Sequence, residues 1–429
     1  MFTGQRLEMC SLKPCSAGRD LPHMNFKQSP TLRRVLAGQL CTGCGLCAGI
    51  SPNSVRMETV APGFSRPRQT APIPATEEQK IASACPGSVV APWGEAPHRH
   101  VSWGPWRQIF TGHACDEELR FAGSSGGALS ALLIHALRTG RVDRVLHIAA
   151  DPDRPTRNVL TWSTTAEGVV RNAGSRYASS SPLAEIGRAL EDGIRTAFVG
   201  KPCDVSALRQ LATVDPRVDQ IFPLMISFFC GGIPSHNAAD RMVRAMGLEP
   251  ETLTRFRYRG NGWPGMARAE AVDGNVAEMS YAQSWGAHLS GEVQFRCKIC
   301  PDAVGGVADI ACADAWYGDA DGYPSFEEQD GRSLVISRTE AGDGLLTDAV
   351  AAGALAVETL DVREIDLMQP AQARRKRLVA ARTASCQVLT QPVPKMRGLD
   401  VGKAARTAGV TEQLRNFLGT LRRILRNRR

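Results

Sequence analysis

Two hydrophobic rhythms alternate along the middle of the chain. From Ser124 to Thr139 (SSGGALSALLIHALRT) apolar residues recur at helical spacing behind a glycine-rich start, which predicts a helix. Val142 to Ala149 reads as a strand, Pro182 to Glu191 as a helix, and Arg195 to Gly200 (RTAFVG) as a strand. Val205 to Leu211 supplies the next helix and Ile221 to Phe229 the next strand. Such alternation predicts an α/β core, α+β in part, built on a mixed sheet. Ahead of it, Leu32 to about Pro97 carries only short elements around Pro62, Pro67, Pro72 and Pro74. Residues 1–30 show no periodicity and read as a loosely ordered lead-in. At the far end Leu414, Phe417, Leu418, Leu421, Ile424 and Leu425 fall at helical spacing. The expected units are 1–30, 31–100, 101–400 and a tail over 401–429.

At 429 residues the chain has room for two or three domains, and 43% hydrophobic residues suffice for real cores. Its 41 glycines and 26 prolines point to many loops rather than a helical bundle. No run of about 18 apolar residues exists. The longest candidate, Ile221 to Ile233, is broken by Pro223, Ser227, Cys230 and two glycines. The N-terminus lacks the apolar stretch of a signal peptide, so the expected location is the cytoplasm. The net charge of +8 suggests nucleic acid until it is located. Val401–Arg429 alone carries a net +7, leaving the body nearly neutral, so no nucleic-acid partner is expected. Arg415, Arg422, Arg423, Arg426, Arg428 and Arg429 surround the apolar stripe of that tail. Such a helix either lies on an anionic membrane surface, placing the protein peripherally on the inner face, or packs its stripe on the protein's own body.

Thirteen cysteines in a chain expected in the cytoplasm read as metal or redox chemistry rather than disulfides. The sharpest signal is Cys41-Thr-Gly-Cys44-Gly-Leu-Cys47, with Cys85-Pro86 downstream. Two-residue spacers let backbone N–H groups wrap three thiolates around one cubane, and a distant Cys-Pro supplies the fourth, as in ferredoxins. Gly43 and Gly45 suit the turns this needs. Zinc is the alternative for four cysteines, but usually takes two paired C-x-x-C knuckles. A [4Fe-4S] cluster is expected, although Cys85 lies much further away than in ordinary ferredoxins. Four more cysteines form a second set: Cys203 after VGKP, Cys230 in FFCGG, and the pair Cys297 and Cys300. Cys203 and Cys230 follow strand-like runs and so sit where α/β sheets place their chemistry. Spacing alone leaves this set open between a metal centre, a redox dithiol and buried small hydrophobes. Cys10, Cys15, Cys115, Cys312 and Cys386 have no partner pattern and read as structural.

Taken in order, CTGCGLCAGISPNSVRM (41–57), Cys85-Pro86-Gly87, SSGGALSALLIHAL (124–137), NAGSRYASSSP (172–182), VGKPCDVSALR (199–209), FFCGGIPS (228–235), FRYRGNGWPG (256–265) and CKICPDAVGGVADIACADAW (297–316) form a specific set. That set resembles the beta subunit of coenzyme F-420 hydrogenase/dehydrogenase. The family includes 7-hydroxymethyl chlorophyll a reductases and ferredoxin-dependent divinyl chlorophyllide reductases. In it the long gap before the Cys-Pro is normal. The resemblance implies a ferredoxin-like iron–sulfur segment ahead of a flavin-binding core. It implies FAD rather than FMN, and a second [4Fe-4S] cluster on Cys203, Cys230, Cys297 and Cys300.

The resemblance further suggests that Ser124, Ser125, Gly126 and Gly127, with Ser175, Arg176 and Tyr177, hold the flavin, and Lys201 joins them. Glycines at a helix start let N–H groups approach a phosphate, which the helix dipole favours. Arg257 and Arg259 offer fork donors to a carboxylate or phosphate, and Trp263 can stack on a planar ligand. Asp302, Asp309 and Asp314 read as solvated loop carboxylates, with orientation of a flavin or substrate by one of them as the alternative, and His135 as a core residue. The implied activity is a relay of electrons from a ferredoxin, a redox partner subunit or coenzyme F-420 through the clusters and flavin to a small organic substrate. The alternatives are an electron-transfer subunit of a larger hydrogenase or dehydrogenase, and a zinc-stabilised binding protein without redox activity.

Overall fold

The computed structural model describes residues 26–318 and 325–426, so the expected lead-in, with Cys10 and Cys15, lies almost wholly outside the described residues. The first helix, Pro30–Ala37, starts where Ser29 Oγ accepts the Leu32 N–H and Pro30 needs no donor. A hairpin follows, β1 (Val55–Val60) with β2 (Phe64–Gln69), and then the helix Ala75–Ala84, which stops at Cys85. A short ribbon, β3 (His98–His100) with β4 (Gly104–Trp106), leads into the body.

The body is an eight-stranded mixed sheet. Its strands are β5 (Gln108–Ala114), β6 (Arg144–Ala150), β7 (Asn158–Ser163), β8 (Thr196–Gly200) and β9 (Leu224–Phe228). A separate three-stranded sheet of β10 (Leu253–Arg257), β11 (Ala267–Ala271) and β12 (Val276–Met279) intervenes. The main sheet resumes with β13 (Ile310–Asp314), β14 (Ser333–Ser337) and β15 (Leu355–Thr359). Spatial order is β15-β5-β14-β13-β9-β8-β6-β7. The four inner strands β13, β9, β8 and β6 are mutually parallel, and antiparallel partners flank them on both sides. The parallel strands therefore bring the residues after Gly200, after Phe228 and at Asp314 to one edge of the sheet, which is where such sheets carry ligands.

Each face is sealed separately. On one, the helices Ala128–Arg138 and Glu340–Ala351 pack Leu132 and Leu345 against Val145, Ile226, Ile310 and Val335. On the other, the helices Ile186–Asp192 and Pro202–Ala212 bury Ile186, Leu208 and Leu211 with Leu146, Phe198 and Met225. Cys44, Leu46 and Ala84 join this second core, so the N-terminal segment shares hydrophobic packing with the body.

Most expected elements appear with shifted ends. The helix expected from Ser124 begins at Ala128, because Gly126 and Gly127 both take positive φ and turn the chain first. The strand expected from Ile221 divides at Pro223 into a short helix, Arg217–Ile221, and β9. The long helix Pro370–Val388 was not foreseen. The tail helix Val410–Leu425 lies against it: Ser385 Oγ donates to the Phe417 carbonyl at 2.7 Å, and Arg374 pairs with Glu412 at 2.6 Å. Its apolar stripe splits, Phe417, Leu421 and Ile424 being half-buried while Leu414, Leu418 and Leu425 stay exposed. Among the described residues no helix is long and apolar enough to cross a membrane.

Two outcomes are expected from this packing. Phe198 is fully buried with its ring edge-on to Phe222, so Phe198→Ala should cost about 3–5 kcal/mol in denaturant unfolding. His147 on β6 is buried against Ser163 Oγ at 2.8 Å, and burial pushes its pKa down from 6.5 to about 4. The unfolded chain then binds a proton that the fold refuses, so stability falls as pH drops from 6.5 to 4. In His147→Gln, melting temperature should depend less steeply on pH in that window.

Candidate functional site

The N-terminal cysteines converge. Cys41, Cys44, Cys47 and Cys85 line one small cavity, closed by Leu32, Val35 and Ile81. The Gly43-Cys44-Gly45 turn needs left-handed backbone at both glycines (φ 81° and 85°), and a Cβ on Gly45 would lie 2.9 Å from the Ala184 nitrogen. That turn aims main-chain donors at sulfur. Gly43 N–H faces Cys41, Leu46 N–H faces Cys44 and Ala48 N–H faces Cys47, while Gly87 and Ser88 N–H face Cys85. Burial nevertheless holds all four thiols above their ordinary range, Cys85 at about 11, where the neighbouring Cys41 adds to the effect. Such thiols ionise only beside a strong cationic partner. Among the described residues no three His, Cys, Asp or Glu side chains converge tightly enough to grip a single ion. Four sulfurs lining a cavity, each met by an N–H, fit a cluster that spreads its ligands wider.

The second set also assembles, from three stretches of chain. Cys203 opens the helix after β8, Cys230 follows β9, and Cys297 and Cys300 bracket a short helical turn, Phe295–Lys298. Within the set, Cys203 is close enough to feel the charge of Cys230 and Cys300, Cys230 that of Cys297 and Cys300, and Cys297 that of Cys300. Burial first, then these neighbours, pushes Cys230 up to about 12. Cations work the other way, Lys201 on Cys203 and Arg375 on Cys230 and Cys297. Gly232 N–H faces Cys230, and Ile233 N–H and the Gln294 amide face Cys297. Donors meet fewer of these sulfurs than in the first set, so the cradle is less complete. Gln294 also joins the two sets. Its Nε2 lies 3.6 Å from Cys297 Sγ and 3.4 Å from the Thr42 carbonyl, and its Oε1 accepts from Arg66 at 3.1 Å.

Beside the second set opens a cavity of about 910 Å³, the size of a cofactor pocket. Ser124, Ser125, Gly127, Ser175, Arg176, Tyr177 and Lys201 line it, as do Cys230 and Cys297. Gly127 caps the helix Ala128–Arg138 without a side-chain acceptor, and Ala128, Leu129 and Ser130 of its first turn line the cavity. A Cβ on Gly127 would meet the Leu119 carbonyl at 2.7 Å, and one on Gly126 the Gly331 carbonyl at 2.7 Å. An exposed helix start of this kind fits the phosphates of a dinucleotide. Tyr281, Trp285, Trp316 and Phe326 add a broad aromatic wall. Lys201 is buried and pairs with Asp204 at 2.7 Å; burial opposes its charge, but Asp204 keeps the ammonium protonated.

Other sequence candidates turn away from the ligand space. Gly126, Arg257 and Arg259 are not among the cavity-lining residues. Arg257 clamps the Ala122 and Ala173 carbonyls. Arg259, 1% exposed, forms a fork with Asp314 at 2.6 and 2.8 Å, and Trp263 donates to the same carboxylate at 2.9 Å. Trp263 stacks on Trp316 at 4.7 Å rather than on a ligand. Arg176 lines the cavity, but its donors go to Asn158 and to the carbonyls of Pro155, Arg157 and Phe256. The expectation of solvated aspartates is corrected. Asp302 is buried and accepts the Val304 and Gly306 N–H groups, Asp309 pairs with Arg209, and Asp314 with Arg259. Buried carboxylates need such partners. His135 is buried in its helix. Cys312 and Cys386 are also buried, whereas Cys115 is exposed.

Sequence reading missed the cations Lys298, Arg374, Arg375 and Arg382 on the cavity wall. The signal was present in PAQARRKRLVAARTASCQV, a proline-started run of strong helix formers following the last recognised motif.

Comparison with known proteins accords with this arrangement. Residues 109–187 match the N-terminal family model described as coenzyme F420 hydrogenase/dehydrogenase, beta subunit, and residues 194–363 match its C-terminal counterpart. The chain is 24% identical over 311 residues to the coenzyme F420 hydrogenase subunit beta of Methanococcus voltae, covering 68% of this chain and 100% of that protein. It is 23% identical over 236 residues to the coenzyme F420-dependent sulfite reductase of Methanocaldococcus jannaschii, covering 52% of this chain and 34% of that one. A chain of the F420-reducing [NiFe] hydrogenase complex from Methanosarcina barkeri superposes with a TM-score of 0.52 at 20% identity, over 70% of this chain and 99% of its own length, and so shares the fold. With more than half its length matched by the paired models, the chain belongs to the coenzyme F420 hydrogenase/dehydrogenase beta subunit family.

Proposed function

We propose that this chain is an iron–sulfur flavoprotein that carries electrons between a redox partner and a small organic substrate. The observation that carries the reading is the first cysteine set, four thiols around one cavity, Cys41 and Cys44 buried and Cys47 and Cys85 half-buried, each met by main-chain N–H donors. Cys41, Cys44, Cys47 and Cys85 would hold one [4Fe-4S] cluster, and Cys203, Cys230, Cys297 and Cys300 a second. The residues 31–100 act as a ferredoxin-like entry unit and 101–400 as the flavin-binding core. The donor is a ferredoxin, a partner subunit or a deazaflavin of the F420 type, in keeping with relatives named as subunits of F420-linked hydrogenase and formate dehydrogenase.

The clusters and flavin supply one-electron relay and hydride chemistry when bound. The chain's residues bind, orient and shield. The uncapped helix start at Gly127 takes the FAD phosphates, with Ser124, Ser125, Ser175 and Tyr177 shaping that end of the cavity. Lys201, protonated against Asp204, places a fixed positive charge beside Cys203 and Cys230. Gln294 ties Cys297 to the Thr42 carbonyl beside Cys41, which would hold the two cysteine sets at a fixed separation. The aromatic wall excludes water from the same space.

A second reading rests on the tail: exposed Leu414, Leu418 and Leu425 beside a run of arginines support contact with an anionic membrane surface.

Anaerobically purified protein should contain iron, acid-labile sulfide and flavin. Cys85→Ser should lose about half the iron while keeping flavin, since only one cluster is touched; zinc in place of iron would end the reading. For the tail, Leu414→Gln/Leu418→Gln should weaken co-sedimentation with phosphatidylserine vesicles. Equal sedimentation of variant and wild type would remove the membrane contact.

A further inference from the structure

The long helix Pro370–Val388 and the turn at Lys298 set Arg374, Arg375, Arg382 and Lys298 along one stretch of the large cavity's wall. The local balance of charge there is uneven. Arg382 is pushed down to about 10 by burial and then by repulsion from Arg375, Arg374 and Arg423, against which Glu412 acts. Glu412 itself is taken by Arg374 Nε at 2.6 Å. Arg375 and Arg382 are held by neutral acceptors. Arg375 donates to the Cys230 and Gly231 carbonyls, and Arg382 to the Lys298 carbonyl at 2.8 Å and to Asn416 Oδ1 at 3.0 Å. These bonds fix where the guanidinium groups stand without neutralising them. Among the described residues Lys298 has no ion-pair partner. Arg375 already faces the thiols of Cys230 and Cys297 and Arg374 is matched by Glu412, which leaves Lys298 and Arg382 as surplus charge.

Cations crowded in a concave, partly dry site repel one another unless an anion sits among them. Because they line a cavity with an aromatic wall rather than a flat surface, the fitting anion is small and planar-bodied, not the face of an acidic protein. We infer that this lip is a substrate-recognition site. It takes the carboxylate or phosphate groups of an anionic substrate and orients its ring or double bond toward the flavin-binding end of the same cavity. The inference rests on the redox reading above and names the substrate class for that site. The cations of the lip, Lys298 excepted, come from chain beyond the residues matched by the family.

The test uses full-length, anaerobically purified holoprotein. Pyrophosphate and citrate serve as separate probes, followed by calorimetry and by fluorescence of the cavity tryptophans. Wild type should bind one anion per chain. Arg374→Gln/Arg382→Gln should weaken it about tenfold or more, as loss of charge-assisted hydrogen bonds predicts. Since Arg382 and Arg374 also help pin the tail, Lys298→Gln is the companion variant; it removes charge without breaking a hydrogen bond of that side chain and should weaken binding in the same direction. Iron and flavin content should be unchanged in both. Equal affinity in Lys298→Gln and wild type, or no saturable binding to wild type, would overturn the proposal. So would loss of flavin from the variants, which assigns the lip to the cofactor's own phosphates, and so would binding of an acidic ferredoxin alone. Protein that lacks iron and flavin yet shows the anion site and its loss would sink the redox reading and leave the lip standing.

Discussion

Desolvation of sulfur is the constraint around which this molecule is arranged. Thiols brought from distant stretches of sequence are withdrawn from water in two places, and burial raises Cys41, Cys44, Cys47, Cys85, Cys203, Cys230 and Cys297 toward the neutral form. The fold answers differently in each. Around Cys41, Cys44, Cys47 and Cys85 it uses mostly main-chain dipoles, helped by the two left-handed glycines, with Arg66 beside Cys41 and Arg296 beside Cys85. Around Cys203, Cys230 and Cys297 it uses side-chain cations, Lys201 and Arg375, with fewer N–H donors.

The sheet explains why these pieces meet. Parallel β8, β9 and β13 end at one edge, and that edge receives Lys201 with Cys203, then Cys230, then Asp314. Asp314 is spent on Arg259 and Trp263, a buried fork that fixes the Trp316 side of the cavity. Such a pair is worth more for the position it enforces than for net stability. The N-terminal segment docks on the opposite face of the same sheet through Cys44 and Leu46, which puts the first cysteine set within one side chain, Gln294, of the second.

Chemistry was more legible than geometry. The cysteine spacing, the Cys-Pro return and the glycine-rich turns are local signals, and each reports backbone behaviour that the structure displays. The strand order was not legible, because antiparallel β5, β14 and β15 pair residues far apart in sequence, and no local rhythm encodes a partner. Arg257 and Arg259 looked like ligand groups because arginines in a glycine-rich loop usually face solvent. Here carbonyls and Asp314 draw both inward. Conversely, the arginines that do line the cavity lie in a plain helical stretch. Their significance comes only from what that helix packs against.

That helix has a further consequence. Arg375 grips the carbonyls of Cys230 and Gly231, Arg382 the carbonyl next to Cys297, and Lys376 the carbonyl of Pro301, next to Cys300. Two of the three sulfur-bearing stretches are thus tethered to a single rigid rod. A displacement of that rod, by whatever docks on the C-terminal face, would be transmitted to both stretches together rather than to either alone. The outer end of the chain is in this sense a mechanical handle on its interior.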